Sequence, residues 1–411
     1  MQTIDIPWGV WHNETPFSLQ FPDDWNVEAA RMTDAPEVTD DELQKSFSNP
    51  IGSPRIAEMA RGKKTVAIAV DDMTRPTQAY RYIPFIIEEL HEAGIKDDDI
   101  TFIIALGSHR PLIYQELVKK LGKSTLEKYR VYNHCPFDNL APVGESMDGS
   151  PILVNRTFME ADFTIAVGCI VPHPTAGWGG GGKIIMPGVC SIETLAAVHG
   201  ADLARGGGQV AVLEGNKLRE EIDDIASKAG LNMIVNAVCT SSGGTAGLFV
   251  GDYIEAHRAG VEMAKKVYAT EVPADIDVGI FNSYPEDTEF LQCGKALNVW
   301  VNPDEDLVKK GGSIVVATAA SEGRGTHYLM DMGMRLFQKA DSRTSVAKKM
   351  AGRHLVFFSP TVTSAEASDR YANEVTLFNT WGPLVDGLTE RHGPGTHAVV
   401  FPYCSLQYIK S

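Results

Sequence analysis

"ADFTIAVGCIVPHPTAGWGGGGKIIMPG", residues 161–188, joins two unlike halves. The first is an apolar run of strand length. The second is a loop with four consecutive glycines, Gly179, Gly180, Gly181 and Gly182, with His173 upstream and Lys183 directly after. A strand that empties into such a loop is a building unit of α/β folds. Glycine loses more conformational entropy on folding than any other residue, so a glycine run in a folded domain implies a very close approach to the backbone.

The same rhythm extends outward. "TVAIAV" (65–70) reads as a strand stopped at Asp71, and "QAYRYIPFIIEELHEAGI" (78–95) has helical apolar spacing ending near Gly94. "ITFIIAL" (100–106) is the next strand, stopped by Gly107, and a helical stretch follows around 111–121. "SIETLAAVHG" (191–200) reads as a short helix with Ser191 as N-cap and Gly200 just past its end. A second series starts near 275 with "DIDVGIFNSYP", "GGSIVVATAASEG", "RHLVFFSP" and "HAVVFPY". Between the two lie a Gly-rich turn, a long helix at about 252–268 and a Pro-bearing connection. The expectation is two α/β domains with largely parallel sheets and the active site in the cleft between them. Residues 1–272 would form the N-terminal domain with the Gly-rich loop, and 273–403 the C-terminal domain with substrate contacts. The tail 404–411 is expected to return to the first domain, and the polar start, 1–50, to wrap a surface.

With 411 residues, 44% apolar and 22% charged, the chain has material for sizeable cores. A net charge of −16 argues against nucleic acid and anionic membranes as main partners, because both require clustered Lys and Arg. A few local cations still suffice for a small anionic substrate. The start lacks a basic segment followed by an apolar run, and no stretch is long enough to span a bilayer. The six cysteines contain no C-x-x-C pair, so neither a zinc ribbon nor a disulfide framework is signalled. A cytoplasmic protein is expected, with the oligomeric state open between monomer and homodimer.

In open α/β sheets, ligands bind outside the carboxyl ends of the strands. Three strand ends are chemically loaded: "DDMTRPT" offers Asp72, Thr74 and Arg75; "GSHRP" offers His109 and Arg110; "PHPTAGWGGGGK" offers His173 and Lys183. Asp72 either caps a turn and pairs with Arg75, or both face a ligand. A lysine after a glycine run recurs in anion sites, where successive N–H groups form a concave donor surface. His199, in the last turn of its expected helix, reads as a structural residue suited to the dipole. "GWGGGGK" fits the start of a P-loop, but Ile184 follows where Ser or Thr should hold Mg²⁺, and Pro187 interrupts the helix that should follow.

Taken together, "DDMTRP", "GSHRP", "HPTAGWGGGGK" and "VHG" resemble the nickel-pincer lactate racemase family, in order and at similar spacing over most of the chain. The resemblance implies a nickel-pincer nucleotide cofactor, pyridinium-3-thioamide-5-thiocarboxylate mononucleotide, tethered covalently to Lys183. It implies His199 as the nickel ligand, which reverses the reading from the residues alone. His109 and His173 become the acid–base pair, Asp72, Thr74 and Gly179–Gly182 cofactor contacts, and Arg75 a substrate contact. "FLQCGKALN" matches the family's Gln and Lys three apart, so Gln292 and Lys295 are implied substrate contacts. Leu291 stands where lactate racemases usually carry tyrosine, which changes pocket size and removes a hydroxyl. The implied enzyme is an isomerase, a racemase or epimerase of a 2-hydroxy acid. It would act by reversible hydride transfer through a 2-keto acid, with separate cofactor maturation enzymes as partners. The rival readings are a P-loop-like nucleotide-binding enzyme and a non-catalytic metal- or anion-binding protein.

Overall fold

The computed structural model describes residues 1–12, 14–205, 207–300, 306–329, 350–371 and 376–409. In chain order its strands begin with β1 (Gln2–Ile6), β2 (Phe17–Phe21), β3 (Asn26–Ala29), β4 (Val66–Asp71), β5 (Ile100–Ala105) and β6 (Arg130–Asn133). The hairpin β7 (Leu140–Glu145) and β8 (Pro151–Asn155) precedes β9 (Phe163–Cys169) and the short pair β10 (Pro172–His173) and β11 (Gly177–Trp178). Then come β12 (Met233–Cys239), β13 (Thr245–Gly251), β14 (Ile276–Asn282), β15 (Val308–Ala317), β16 (His354–Phe358), β17 (Thr376–Phe378) and β18 (His397–Phe401).

The chain forms two compact units. The first, residues 35–267 with 327–329, contains a six-stranded sheet in the order β13-β12-β9-β4-β5-β6. Only the β12–β13 pairing in it is antiparallel. Every residue of β4, β5 and β9 is buried. That is what continuous apolar runs produce when helices cover both faces of a parallel sheet. Because these three strands are parallel neighbours, their carboxyl ends open at one edge. Asp72, His109 and His173 all follow those ends.

The second unit, residues 1–34, 268–326 and 350–409, contains an all-parallel sheet in the order β17-β16-β15-β14-β18-β3. Apolar clusters line both of its faces. Among the described residues, no helix is long and apolar enough to cross a membrane.

Two expectations about organisation differ from this arrangement. Residues 1–34 do not join the domain that follows them. β3 pairs in parallel with β18, from Asn26 opposite His397 to Ala29 opposite Val400, and so completes an edge of the second sheet. The β1–β2 hairpin carries Ile6, Leu19 and Phe21 into a core shared with Trp381 and Leu384. The Trp381 indole N–H donates to the Gln20 carbonyl at 2.8 Å. Nor does the described tail, 404–409, return to the first unit. The Tyr408 N–H donates to the Tyr268 carbonyl at 2.9 Å, and the Gln407 amide to the Ala30 carbonyl at 2.8 Å, both inside the second unit.

If the start of the chain is core and not a surface wrap, Phe21→Ala should destabilise the protein by about 3–5 kcal/mol, the usual cost of a buried aromatic truncation. A surface residue would cost roughly 0.5 kcal/mol or less. Denaturant unfolding distinguishes the two.

Candidate functional site

The first part of the site is the pair of loops after β4 and β5. Asp72 has two oxygens with two tasks. Oδ1 accepts the Thr74 N–H at 3.0 Å and the Thr74 hydroxyl at 2.5 Å, while Oδ2 meets His109 Nδ1 at 2.6 Å. Asp72 therefore caps its own turn and at the same time orients a histidine. Burial pushes its carboxyl pKa up, but the charge and hydrogen bond of His109, together with Thr74, win and hold it below the ordinary range. Arg75, half-buried, donates to the Thr74 carbonyl and hydroxyl at 3.0 and 3.1 Å.

Behind this loop lies Lys120, fully buried. Its ammonium donates to the carbonyls of Asp72 at 2.8 Å and Arg75 at 3.1 Å, and pairs with Asp71 at 2.7 Å. The segment 327–329 packs beside β5's end. Tyr328 N–H donates to the Ser108 carbonyl at 2.8 Å, and the His327 ring lies edge-on to His109 with centroids 5.4 Å apart. Arg110 is occupied by Glu116 through two contacts of 2.6 and 2.9 Å.

The glycine loop has a different basis from the one its composition suggests. The close neighbours are the protein's own atoms. A Cβ on Gly180 would lie 2.6 Å from Asn236 Oδ1, on Gly181 3.0 Å from the His257 ring, and on Gly182 3.0 Å from Ala226. Gly180 and Gly181 also take positive φ, +72° and +59°. Three of the loop amides are also taken up internally. The Gly179 N–H donates to Val171, the Gly181 N–H to Asn236 Oδ1 at 2.7 Å, and the Lys183 N–H to Gly180.

The loop carbonyls are gathered from behind. The Arg219 guanidinium, fully buried, donates to the carbonyls of Ala176, Trp178 and Gly180, and the His257 ring meets that of Gly179 at 2.8 Å. The last two glycines open a 3-10 turn, Gly181–Ile184, and no α-helix, so the P-loop arrangement is absent here.

His173 and His199 complete the first unit's set. His173, half-buried in β10, accepts at Nδ1 the N–H groups of Thr175 at 3.3 Å and Ala176 at 3.1 Å. His199 is not in a last helical turn. The helix runs Ile192–Ala204, with Ser191 Oγ accepting the Thr194 N–H as its cap, and Gly200 is interior. The dipole explanation for His199 therefore falls. Its Nδ1 donates to the Leu195 carbonyl one turn back at 2.8 Å. Its pKa is pushed down to about 4, first by burial and then by the nearby charge of Lys183, against the opposing hydrogen bond to Leu195. A neutral ring with its proton on Nδ1 presents the Nε2 lone pair, which is what metal ligation requires.

In the second unit, Leu291, Gln292 and Lys295 lie on a 3-10 segment, Phe290–Val299. Leu291 and Gln292 are buried. Lys295 pairs with buried Glu286 at 2.9 Å. Sequence reasoning missed Lys120, Arg219, His257, Asn236, His327 and Glu286. Most of these sit in segments that read locally as solvent-facing charge.

The lactate racemase N-terminal domain family matches residues 12–209. The lactate racemase of Thermoanaerobacterium thermosaccharolyticum is 29% identical over 334 residues, 79% of this chain and 76% of that protein. That of Lactiplantibacillus plantarum is 30% identical over 289 residues, 69% of this chain and 66% of its own length. In three dimensions the lactate racemase apoprotein of T. thermosaccharolyticum superposes with a TM-score of 0.78 and 24% identity, covering both chains fully. A protein from Thermotoga maritima superposes with a TM-score of 0.70 and 18% identity, covering 92% of this chain and 100% of its own. Both share the fold.

The state of His199 has a thermodynamic signature. A histidine whose folded pKa lies below its unfolded value of about 6.5 contributes stability above that pH and loses it as pH falls toward about 4. The stability difference between wild type and His199→Asn should therefore move against wild type by about 2 kcal/mol between pH 7 and pH 5. Urea midpoints at the two pH values measure this. A difference independent of pH would mean that the ring titrates as in the unfolded chain.

Proposed function

The chain belongs to the lactate racemase family, and we propose that it is a racemase or epimerase of a 2-hydroxy acid, working by hydride transfer at a nickel-pincer nucleotide tethered to Lys183. The observation that carries this reading is His199: a neutral imidazole with its lone pair on Nε2, beside a half-buried lysine. That donor set fits the group. Lys183 would hold it by the thioamide bond and His199 would supply the protein's nickel ligand. When bound, the nucleotide supplies the hydride acceptor and donor that amino-acid side chains lack.

The remaining work belongs to this chain's own residues. His109, with Asp72 on Nδ1, accepts the substrate's hydroxyl proton at Nε2, and the imidazolium that results is stabilised by the carboxylate already in contact with it. His173 is the second proton-handling group, projecting from the neighbouring strand end on the other side of β4. Arg75 holds the substrate carboxylate in a charge-assisted hydrogen bond. In the second unit Gln292 and Lys295 are the proposed substrate contacts, and Leu291 puts an apolar side chain where a hydroxyl is usual in the family. The glycines act through the loop, fixing the bearing of Lys183. Separate maturation enzymes are the expected partners, and the cytoplasm the expected setting.

Chiral analysis of a panel of 2-hydroxy acids with cofactor-loaded enzyme tests the function directly. Inversion of at least one acid is expected. Nickel content without inversion would instead favour a metal-binding protein.

Two further outcomes follow from the assignments. Lys183→Ala, produced alongside the maturation enzymes, should lose the added mass that intact-protein mass spectrometry finds on wild type, and an unchanged added mass removes Lys183 from the role. His109→Asn and His173→Asn should each lower kcat/KM by roughly 10²–10⁴-fold. For a racemase the loss must be equal in both directions, because the equilibrium constant between enantiomers is one. Asymmetry can appear only in kcat and KM taken separately. Full activity of either variant rejects the two-histidine scheme.

A further inference from the structure

The two histidines given proton-carrying roles are not held alike. His109 presents Nδ1 to a carboxylate oxygen at 2.6 Å, so Nδ1 carries a proton and the neutral ring has its lone pair on Nε2. His173 is held the opposite way. Its Nδ1 accepts two main-chain N–H groups, from Thr175 at 3.3 Å and Ala176 at 3.1 Å. A nitrogen that accepts hydrogen bonds cannot carry the ring proton, so neutral His173 is protonated on Nε2.

We propose that the ligand-free protein keeps these imidazoles in opposite tautomers. His109 is the ready proton acceptor. His173 is a hydrogen-bond donor through Nε2, and it becomes a proton carrier only when its Nδ1 leaves the amides of Thr175 and Ala176. The roles rest on the function proposed above, while the tautomers rest on the hydrogen bonds alone.

Proton balance makes the distinction consequential. A proton arriving at His109 Nε2 yields an imidazolium whose Nδ1–H still faces Asp72. Neutral His173 has no lone pair on Nε2 with which to accept a proton. If it gave up its one ring proton it would become an anion, which no group near neutral pH sustains without a metal or a strong cation. To work as acid or base it must first take a proton at Nδ1, and both amide bonds are then lost.

The element that moves is the ring. The carbonyl of Thr175 is fixed by the Asn216 amide at 2.8 Å, and that of Ala176 by the Trp178 N–H at 2.8 Å and by Arg219. The peptide group that carries the Ala176 N–H is therefore anchored through its Thr175 carbonyl, and the next one through Ala176, whereas rotation about the histidine Cβ–Cγ bond is broad and nearly two-fold. A ring turn releases Nδ1 without disturbing the loop that leads to Lys183.

Long-range ¹H–¹⁵N correlation spectra of the ligand-free protein, labelled with ¹⁵N-histidine and recorded where the rings are neutral, read the tautomers directly. His109→Gln and His173→Gln assign the signals. Should either variant misfold, through-space contacts from the Thr175 and Ala176 amides assign His173. The expected result is a pyridine-type Nε2 on His109 and a pyridine-type Nδ1 on His173. Asp72→Asn should shift His109 toward its Nε2–H form and leave His173 unchanged. Equal tautomers, an Nδ1–H His173, or averaged signals from His173 would overturn the proposal. The spectra need no cofactor, so such a result would sink this inference alone, whereas failure to invert any 2-hydroxy acid would sink the proposed function and leave the spectra as they are.

Discussion

A guanidinium enclosed by protein fixes the loop on which the site depends. Arg219 is wholly buried, and its pKa is lowered to about 10 by that burial, so it remains charged at neutral pH. Burying a charge is costly unless every donor is met. Asp223, at 3.5 Å, supplies one partner, and the carbonyls of Ala176, Trp178 and Gly180 supply the others. Those carbonyls therefore face inward, and the course of the chain from His173 to Lys183 is set. The glycines are the other half of the same constraint. With Asn236, His257 and Ala226 already against the backbone, a side chain on Gly180 would collide, and on Gly181 or Gly182 it would force a neighbour to shift.

The same construction recurs wherever chemistry is expected. A half-buried group that would meet a ligand is backed by a buried one that holds it. Lys120 holds the 71–75 loop through two carbonyls, and within that loop Asp72 holds His109. The Leu195 carbonyl holds His199 in one tautomer. Glu286 stands against Lys295. Such pairs add little to net stability once desolvation is counted. Their effect is orientation: a ring or ammonium with one fixed partner has fewer directions in which to present its remaining donors or lone pair.

These backing residues mark the limit of what the chain reveals when read locally. β4, β5 and β9 were legible because a strand buried on both faces must be an unbroken apolar run. The loaded strand ends were legible because ligand sites in open parallel sheets lie there. Lys120 and Arg219 were not, because on helices rich in charge nothing local separates a buried cation from a solvated one. The glycine run announced a close approach but not its partner, which lies on β12 and on two helices well downstream. Gly200 looked like a helix terminator. An interior glycine costs only about 1 kcal/mol relative to alanine, and the helix continues past it. Membership of residues 1–34 in the second sheet was invisible for a related reason. The β3–β18 pairing spans most of the chain, and a parallel edge strand carries no local mark of its partner.

The pairing also bears on how an acidic protein would take an anionic substrate. The net charge is −16, and several basic groups near the strand ends are met by carboxylates: Lys120 by Asp71, His109 by Asp72 and Arg110 by Glu116. In the second unit Lys295 is matched with Glu286. A carboxylate approaching these matched groups meets little excess positive potential from them. What remains is short-range geometry. In the first unit the Arg75 guanidinium is already anchored on Thr74, and in the second Glu286 limits where the Lys295 ammonium can stand. Groups held in this way discriminate among ligands by shape and hydrogen-bond direction more than by surplus charge.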